Sequence, residues 1–208
     1  MSAVSDRPKL RMQLRAMRVR LSPSERMACA DALAVQLEQL PEFLVDTRVA
    51  GYWAVGGELP LHALLPGLRQ RGQDYFLPTL AADNVLRFTA WKLGAPLCQN
   101  RFGIPEPDAA GVAPVSAAEL DVVLLPLLGF DRRGNRLGSG GGWYDRSLEF
   151  LRGRAAPARP LLVGIGYHFQ EVPALAPKPW DVPLDFVATD RELIACTDDV
   201  DPVEATRE

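Results

Sequence analysis

The amino-acid sequence predicts an α/β fold: three α/β/α layers built on a mixed, mainly parallel sheet. Three observations carry this. The run at 161–166, and that at 121–125 from Val122 on, are continuously apolar, as strands buried on both faces are, rather than alternating. Segments with helical spacing stand between these and the other strand-like runs, which is the order a parallel sheet requires. The chain has 208 residues, 48% of them hydrophobic, enough to cover both faces of one sheet as a single domain.

The elements follow in order. Asp6 is placed to cap a first helix, with Pro8 in its first turn, where a missing N–H costs little. On a helical wheel Leu10, Leu14, Met17 and Leu21 form an apolar stripe, and Arg7, Arg11, Arg15 and Arg18 a basic one beside it. The first docks on the body; the second reads either as a solvated face or as a cationic margin. Ser22-Pro23-Ser24-Glu25 has the form of a capping box with Pro at the first helical position. Ala30, Leu33, Ala34, Leu37 and Leu40 supply that helix's buried face, and Pro41 ends it.

From Arg48 the period changes. Val49 to Trp53 reads as a strand, followed by a turn at Val55-Gly56-Gly57-Glu58. Leu61, Leu64, Leu65 and Leu68 suggest a helix ending near Gly72, which Pro66 kinks or splits. Tyr75 to Pro78 is a short strand, and Val85 to Trp91 alternates as another. The segment Arg101 to Pro107 is too rich in proline for either element and reads as a loop. Asp121 to Leu125 and Leu161 to Gly166 are buried strands, Tyr144 to Leu151 a helix, and Leu184 to Val187 a last strand. Residues 196–208 read as an acidic tail, leaving 1–195 as the domain.

Composition excludes several classes. A formal charge of -3 gives no general basic footprint, so no nucleic acid partner is expected. Cys29, Cys98 and Cys196 are isolated and lack CxxC spacing, which argues for apolar filler rather than disulfides or zinc. His62 and His168 are not spaced as metal ligands and read as structural. No apolar run reaches membrane-spanning length, and the charged start lacks a leader core, so no membrane partner and a cytoplasmic setting are expected.

The densest signal is the stretch Leu124 to Arg146. An apolar strand runs into Gly138, Gly140, Gly141 and Gly142, with Arg136 before them and Trp143, Tyr144 and Asp145 after. Glycines let backbone N–H groups approach phosphate oxygens, arginine forks onto phosphate, and an aspartate can hold magnesium beside it. The same residues also suit a tight turn, with Arg136 paired to Asp131 and Asp145 in a helical first turn. No Walker signature is present. Asp131 is assigned to holding the loop through backbone N–H groups.

This stretch, LLGFD … GNRLGSGGGWYDR, closely resembles the signature of the 5-formyltetrahydrofolate cyclo-ligase family, also called 5,10-methenyltetrahydrofolate synthetase. The likeness continues in Arg7 to Ser22, Tyr52 to Glu58, Phe102 to Pro107, Gly164 to Gln170 and Trp180-Asp181. The family in turn resembles the ribose-phosphate isomerase and coenzyme-A transferase-like superfamily in fold. The resemblance implies ATP- and magnesium-dependent conversion of 5-formyltetrahydrofolate to 5,10-methenyltetrahydrofolate, a step of one-carbon metabolism. ADP and phosphate are released, and the route is a phosphorylated formyl group attacked by N10.

Carried over residue by residue, the resemblance implies an ATP site of Arg7, Pro8, Lys9, Leu10 and Arg11 with Arg136, Leu137, Gly138, Ser139, Gly140, Gly141, Gly142, Trp143 and Tyr144. Arg136 and Tyr144 are the implied catalytic residues. Folate contacts fall on Trp53, Glu58 and Ser139 to Trp143, and magnesium on Asp145 and Asp181. A reduced folate is the implied partner, taken by a monomer or weak homo-oligomer. Three positions depart from the family pattern: Arg7 stands for Lys, Trp143 for Tyr, and Trp180 for His or Asn. Two other readings remain: a superfamily member without an ATP site, and a non-catalytic folate-binding module.

Overall fold

A computed structural model describes residues 6–108, 111–153 and 158–196. Helix α1 (Arg7–Arg20) is capped by the Asp6 carboxylate, which accepts from the Lys9 amide at 3.0 Å. Helix α2 (Pro23–Leu37) begins at the capping box foreseen at Ser22 and Glu25. Pro41 does not merely end α2. It stands in the first turn of a further short helix, α3 (Pro41–Val45), where its missing N–H has no partner to lose.

Strand β1 (Arg48–Ala50) is shorter than foreseen: Gly51 N still donates to Phe76 O at 2.9 Å, and the chain leaves the sheet after it. A 3₁₀ turn (His62–Leu64) leads into α4 (Leu65–Gln70), so Pro66 splits the expected helix. Strands β2 (Asp74–Leu80) and β3 (Leu86–Ala90) form a hairpin. Next come β4 (Leu97–Gln99), for which no element was expected, and β5 (Pro105–Pro107), which falls within the loop expected over Arg101 to Pro107. Asn100 N donates to Ile104 O, and Asp108 N to Pro96 O. By alternation Pro105 and Pro107 then fall where the ladder needs no N–H.

Strand β6 (Val122–Pro126) is followed by the small hairpin β7 (Gly129–Phe130) and β8 (Arg136–Leu137). Helix α5 (Trp143–Ser147) passes into a 3₁₀ turn (Glu149–Leu151). Strands β9 (Leu161–Ile165), β10 (Phe186–Ala188) and β11 (Leu193–Ala195) complete the chain. The tail expected over 196–208 falls, beyond Cys196, outside the described residues.

The main sheet has seven strands in the order β11-β10-β9-β6-β1-β2-β3. Its five inner strands are parallel, and each edge strand is antiparallel to its neighbour. Alternation along β6 and β9 divides the core. Val122, Leu124, Leu161 and Val163 pack with Leu33, Leu37, Phe43 and Leu68 of the helices on one face. Val123, Leu125 and Leu162 pack with Leu148 and Leu151 on the other. Each fully buried leucine or valine removes about 1.5–3 kcal/mol worth of apolar surface from water.

Helix α1 docks elsewhere, at the carboxyl ends of the strands, where Leu10 and Leu14 pack on Leu128, Leu137, Val172 and Leu175. The wheel reading of α1 is corrected at two positions: Met17 is 41% exposed and Arg18 only 4%. Buried carbonyls explain this, since Arg18 Nη2 donates to Gly56 O at 2.8 Å and Nη1 lies 3.5 Å from Leu127 O. Among the described residues, no helix is long and apolar enough to cross a membrane.

Candidate active site

The carboxyl ends of parallel strands leave a crevice that helices do not fill, and ligands of α/β sheets collect there. Here that crevice is a cleft of about 400 Å³. Its walls come from the chain leaving β1 (Tyr52, Trp53, Val55, Glu58), the ends of β2 and β3 (Pro78, Leu80, Leu86) and the β4–β5 hairpin (Asn100, Phe102, Ile104, Pro105). Arg7 and Arg11 of α1, Arg136, the loop Gly138–Gly142, Trp143, Tyr144, Asp145, Lys178, Trp180 and Asp181 close it.

One end is cationic. Arg136 is 7% exposed and donates to both Val182 O and Asp145 Oδ1. Burial pulls its pKa down, and the Asp145 and Asp181 carboxylates push it back, so the guanidinium stays charged. Asp131 therefore does not pair with Arg136. It holds the hairpin loop as expected, accepting from the amides of Arg133, Asn135 and Leu175 at 3.1, 3.0 and 2.8 Å. Arg7 bonds Asp181 Oδ2 at 3.0 Å and Ala176 O at 2.6 Å.

The glycine loop is held from α1. Arg11 Nε donates to Gly138 O at 2.9 Å, and Arg15 Nη2 to Ser139 O at 3.1 Å. A trans peptide puts carbonyl and following amide on opposite sides, so these bonds turn the Ser139 and Gly140 amides away from α1. Gly140 (φ 106°) and Gly142 (φ 66°) take backbone angles that side-chain-bearing residues rarely adopt. Burial, with Arg7 and Arg15 next, lowers the Arg11 pKa. A ridge of like charges this close favours an incoming anion.

The other end is apolar around one carboxylate. Glu58 is 11% exposed at its side chain, accepts from the Val55 amide at 3.1 Å, and has Arg18 at 4.0 Å. Loss of water raises its pKa despite both partners. Trp53 is 39% exposed and meets Trp91 edge-on at 6.2 Å, so it is a wall of the cleft rather than core. The Tyr144 phenol is held well above its ordinary pKa by loss of water, which makes it a hydrogen-bond donor and not a base near neutrality.

The cleft thus gathers Trp53, Glu58, Arg7, Arg11, Arg136, Gly138 to Tyr144, Asp145 and Asp181. Pro8, Lys9, Leu10 and Leu137 lie outside its lining: Leu10 and Leu137 pack beneath α1, and Lys9 is exposed. Sequence reasoning placed Arg15 and Arg18 on the basic stripe but did not single them out as holding the site's loops through Ser139 O and Gly56 O. It also missed Asn100 and Lys178 as lining residues. For the hairpin the resemblance over Phe102 to Pro107 was the available signal.

Two oxygens bear on metal binding. Asp145 Oδ2 and Asp181 Oδ1 accept no hydrogen bond among the described residues, while their sister oxygens are engaged by Arg136 and by Arg7 with the Lys178 amide. A hard cation that takes one or two carboxylates and fills its shell with phosphate and water fits this donor set. Away from the cleft, His168, Glu171 and Glu192 also converge, but Arg132 already bonds both carboxylates at 2.8 Å, and the group is a surface ion network.

A crevice at the strand ends of a mainly parallel sheet, with arginines and a glycine loop in the same cleft as a carboxylate and aromatic walls, is the kind of site an α/β enzyme carries. The 5-formyltetrahydrofolate cyclo-ligase family model matches residues 3–190, and the chain belongs to that family. It is 34% identical to the Escherichia coli K12 5-formyltetrahydrofolate cyclo-ligase over 182 residues, which cover 85% of this chain and 96% of the relative. The Haemophilus influenzae protein of the same name is 32% identical over 182 residues, covering 86% and 94%. The solved structure of Aquifex aeolicus 5,10-methenyltetrahydrofolate synthetase superposes with a TM-score of 0.78 at 30% identity, covering 96% of both chains.

Proposed function

We propose that this chain, as one α/β unit over residues 1–195, converts 5-formyltetrahydrofolate to 5,10-methenyltetrahydrofolate, consuming ATP with magnesium and releasing ADP and phosphate. One observation supports this most. Three arginines and a glycine loop share a single cleft with Trp53 and Glu58, on a chain of the cyclo-ligase family.

The chemistry explains why both ends are needed. The formyl oxygen on N5 is a poor leaving group. Transfer of the terminal phosphoryl of ATP to that oxygen makes a good one; N10 then attacks the formyl carbon and gives up its proton to water, and the C–O bond breaks to release phosphate. Such transfers rest on positioning and charge neutralisation rather than on a protein nucleophile.

Each group of this chain has a role in that scheme. Arg7, Arg11 and Arg136 neutralise phosphate oxygens, with the turned amides of the glycine loop beside them. Glu58 accepts from the amino and ring N–H donors of the pterin, which favour its ionised form where burial opposes it. Trp53 walls the ring, and the Tyr144 phenol donates a hydrogen bond near the reacting oxygen. Asp145 and Asp181 would hold magnesium through their free oxygens, and that ion, when bound, supplies positive charge beside the phosphates.

The test is growth of the methenyl-folate absorbance band with purified protein, 5-formyltetrahydrofolate, ATP and magnesium, against a control without ATP. ATP-dependent growth is expected. A second reading, the non-catalytic folate-binding module, is favoured by one observation: Arg7 already occupies an oxygen of Asp181. Folate binding with no band growth would select it.

A further inference from the structure

Two arginines at the rim of the cleft have no place in the scheme above. We propose that Arg101 and Arg146 form a carboxylate subsite that takes the glutamate end of the folate substrate. This rests on the folate reading of the cleft.

Both guanidinium groups pack on one indole. Arg101 Cζ lies 5.4 Å and Arg146 Cζ 5.2 Å from the centre of the Trp143 ring, and Arg101 is also 5.2 Å from that of Phe102. Phe102 meets Trp143 edge-on at 6.1 Å, so the β4–β5 hairpin and α5 are bridged at this point. One residue, Asn84, fixes both heads: Arg101 Nη2 donates to its Oδ1 at 3.3 Å, and Arg146 Nε to its backbone oxygen at 2.8 Å.

Neither arginine has a carboxylate partner among the described residues. Acidic residues on adjoining segments are engaged elsewhere: Asp83 with Arg87 at 3.4 Å, Glu149 with Arg152 at 3.2 Å, and Glu106 with the Leu80 amide and Asn100. Two like charges are therefore held on one indole and one asparagine, exposed, with their remaining N–H donors unspent. The planar fork of arginine matches a carboxylate in two-point geometry.

The walls say which carboxylate. Trp143 and Phe102 line the cleft with Leu80, Leu86 and Ile104, an apolar stretch between the rim and the interior. A folate has a polar ring, an aromatic linker and an anionic tail. Glu58 suits the first, the apolar stretch the second, and the rim arginines the third.

The experiment is titration calorimetry of the whole protein with 5-formyltetrahydrofolate triglutamate and with the corresponding pteroate, which lacks glutamate. The native protein should bind the triglutamate about tenfold or more tightly than the pteroate, as two exposed ion pairs allow. Raising salt should shrink that preference. In the double variant Arg101→Gln with Arg146→Gln it should fall to within about twofold, by the same arithmetic. Equal affinities in the native protein, which need no variant, overturn the proposal. So does a preference that survives the double substitution, or a loss confined to ATP affinity, which would make the pair a phosphate site. Binding is read without turnover: folate binding without methenyl product refutes the catalytic reading and leaves this ratio to judge the subsite, while a protein that binds no folate overturns both.

Discussion

Replacing Arg136 by Ala removes a strut as well as a proposed phosphate ligand, and the two losses can be separated. The side chain joins the Val182 carbonyl on a buried segment to the Asp145 carboxylate on α5. Without it Val182 O is left with no donor, at a cost of about 1–3 kcal/mol. Asp145 loses its counter-ion but is 25% exposed at the side chain, so water screens it and the further cost is about 1 kcal/mol rather than the 3–5 of a fully buried pair. The sum is about 2–4 kcal/mol. With a slope of about 2 kcal/mol per molar urea, the unfolding midpoint should fall by about 1–2 M. Turnover should fall further, by about a hundredfold or more, as when a preorganised donor to developing charge is lost. Arg136→Lys keeps the charge but cannot reach both acceptors, and should lie between on both scales. A midpoint unchanged in Arg136→Ala would refute the strut; equal kcat/KM would refute the phosphate role.

Glu58→Gln should weaken folate binding while stabilising the free protein near pH 7. Burial raises the Glu58 pKa, so the folded state holds that proton more tightly than the unfolded one. Stability is then lost as pH rises from the ordinary carboxyl value of 4.5 through the raised one. The variant lacks this loss, so denaturation at several pH values should show the two proteins diverging above that window and agreeing below it; divergence of the opposite sign sinks the assignment. Asp145→Asn should raise the magnesium needed for half-maximal turnover about tenfold or more, and an unchanged magnesium curve counts against a ligand role. Of the three cysteines, only exposed Cys98 should react quickly with an alkylating reagent in the native protein, because burial pushes the Cys29 and Cys196 thiols up to about 11 and about 12. Rapid loss of two thiols, or none, in a timed mass-spectrometric assay contradicts this, and the filler expectation already fails for Cys98.

What the sequence disclosed follows the range of the interactions concerned. The α2 capping box was legible because Ser22 and Glu25 close their bonds within one turn. The buried strands were legible because two covered faces leave no polar alternation, as at Val122 to Leu125. Arg18 was not, because a helical wheel sorts residues by type, and this arginine is drawn inward by carbonyls at Gly56 and Leu127, 38 and 109 positions away. The β4–β5 strands were hidden by prolines whose tolerance depends on the register of a partner strand. In the cleft, the order Arg136, glycines, aromatics, Asp145 was readable as a motif. Which face of α1 turns to it was not, and only Arg7 and Arg11 of the expected run line it.

The ion pairs of the cleft explain how so much positive charge is kept ready beside a glycine loop. Arg136 and Arg7 would each lose hydration without a counter-ion if left bare at the site. Asp145 and Asp181 offset this, each engaging one arginine through one oxygen and leaving the other oxygen free. On the proposed reading, an arriving phosphate meets guanidinium groups already oriented, and an arriving magnesium ion meets carboxylates already in position. The coupling is reciprocal: whatever draws Asp145 and Asp181 toward a cation frees N–H donors of Arg136 and Arg7 for the phosphate oxygens, so each ligand should tighten the other. Titration of ADP with and without magnesium tests this. ADP affinity should rise with magnesium in the native protein, and the rise should shrink when Asp145 and Asp181 are both changed to Asn. A rise that survives the double change would mean that magnesium acts through the nucleotide alone.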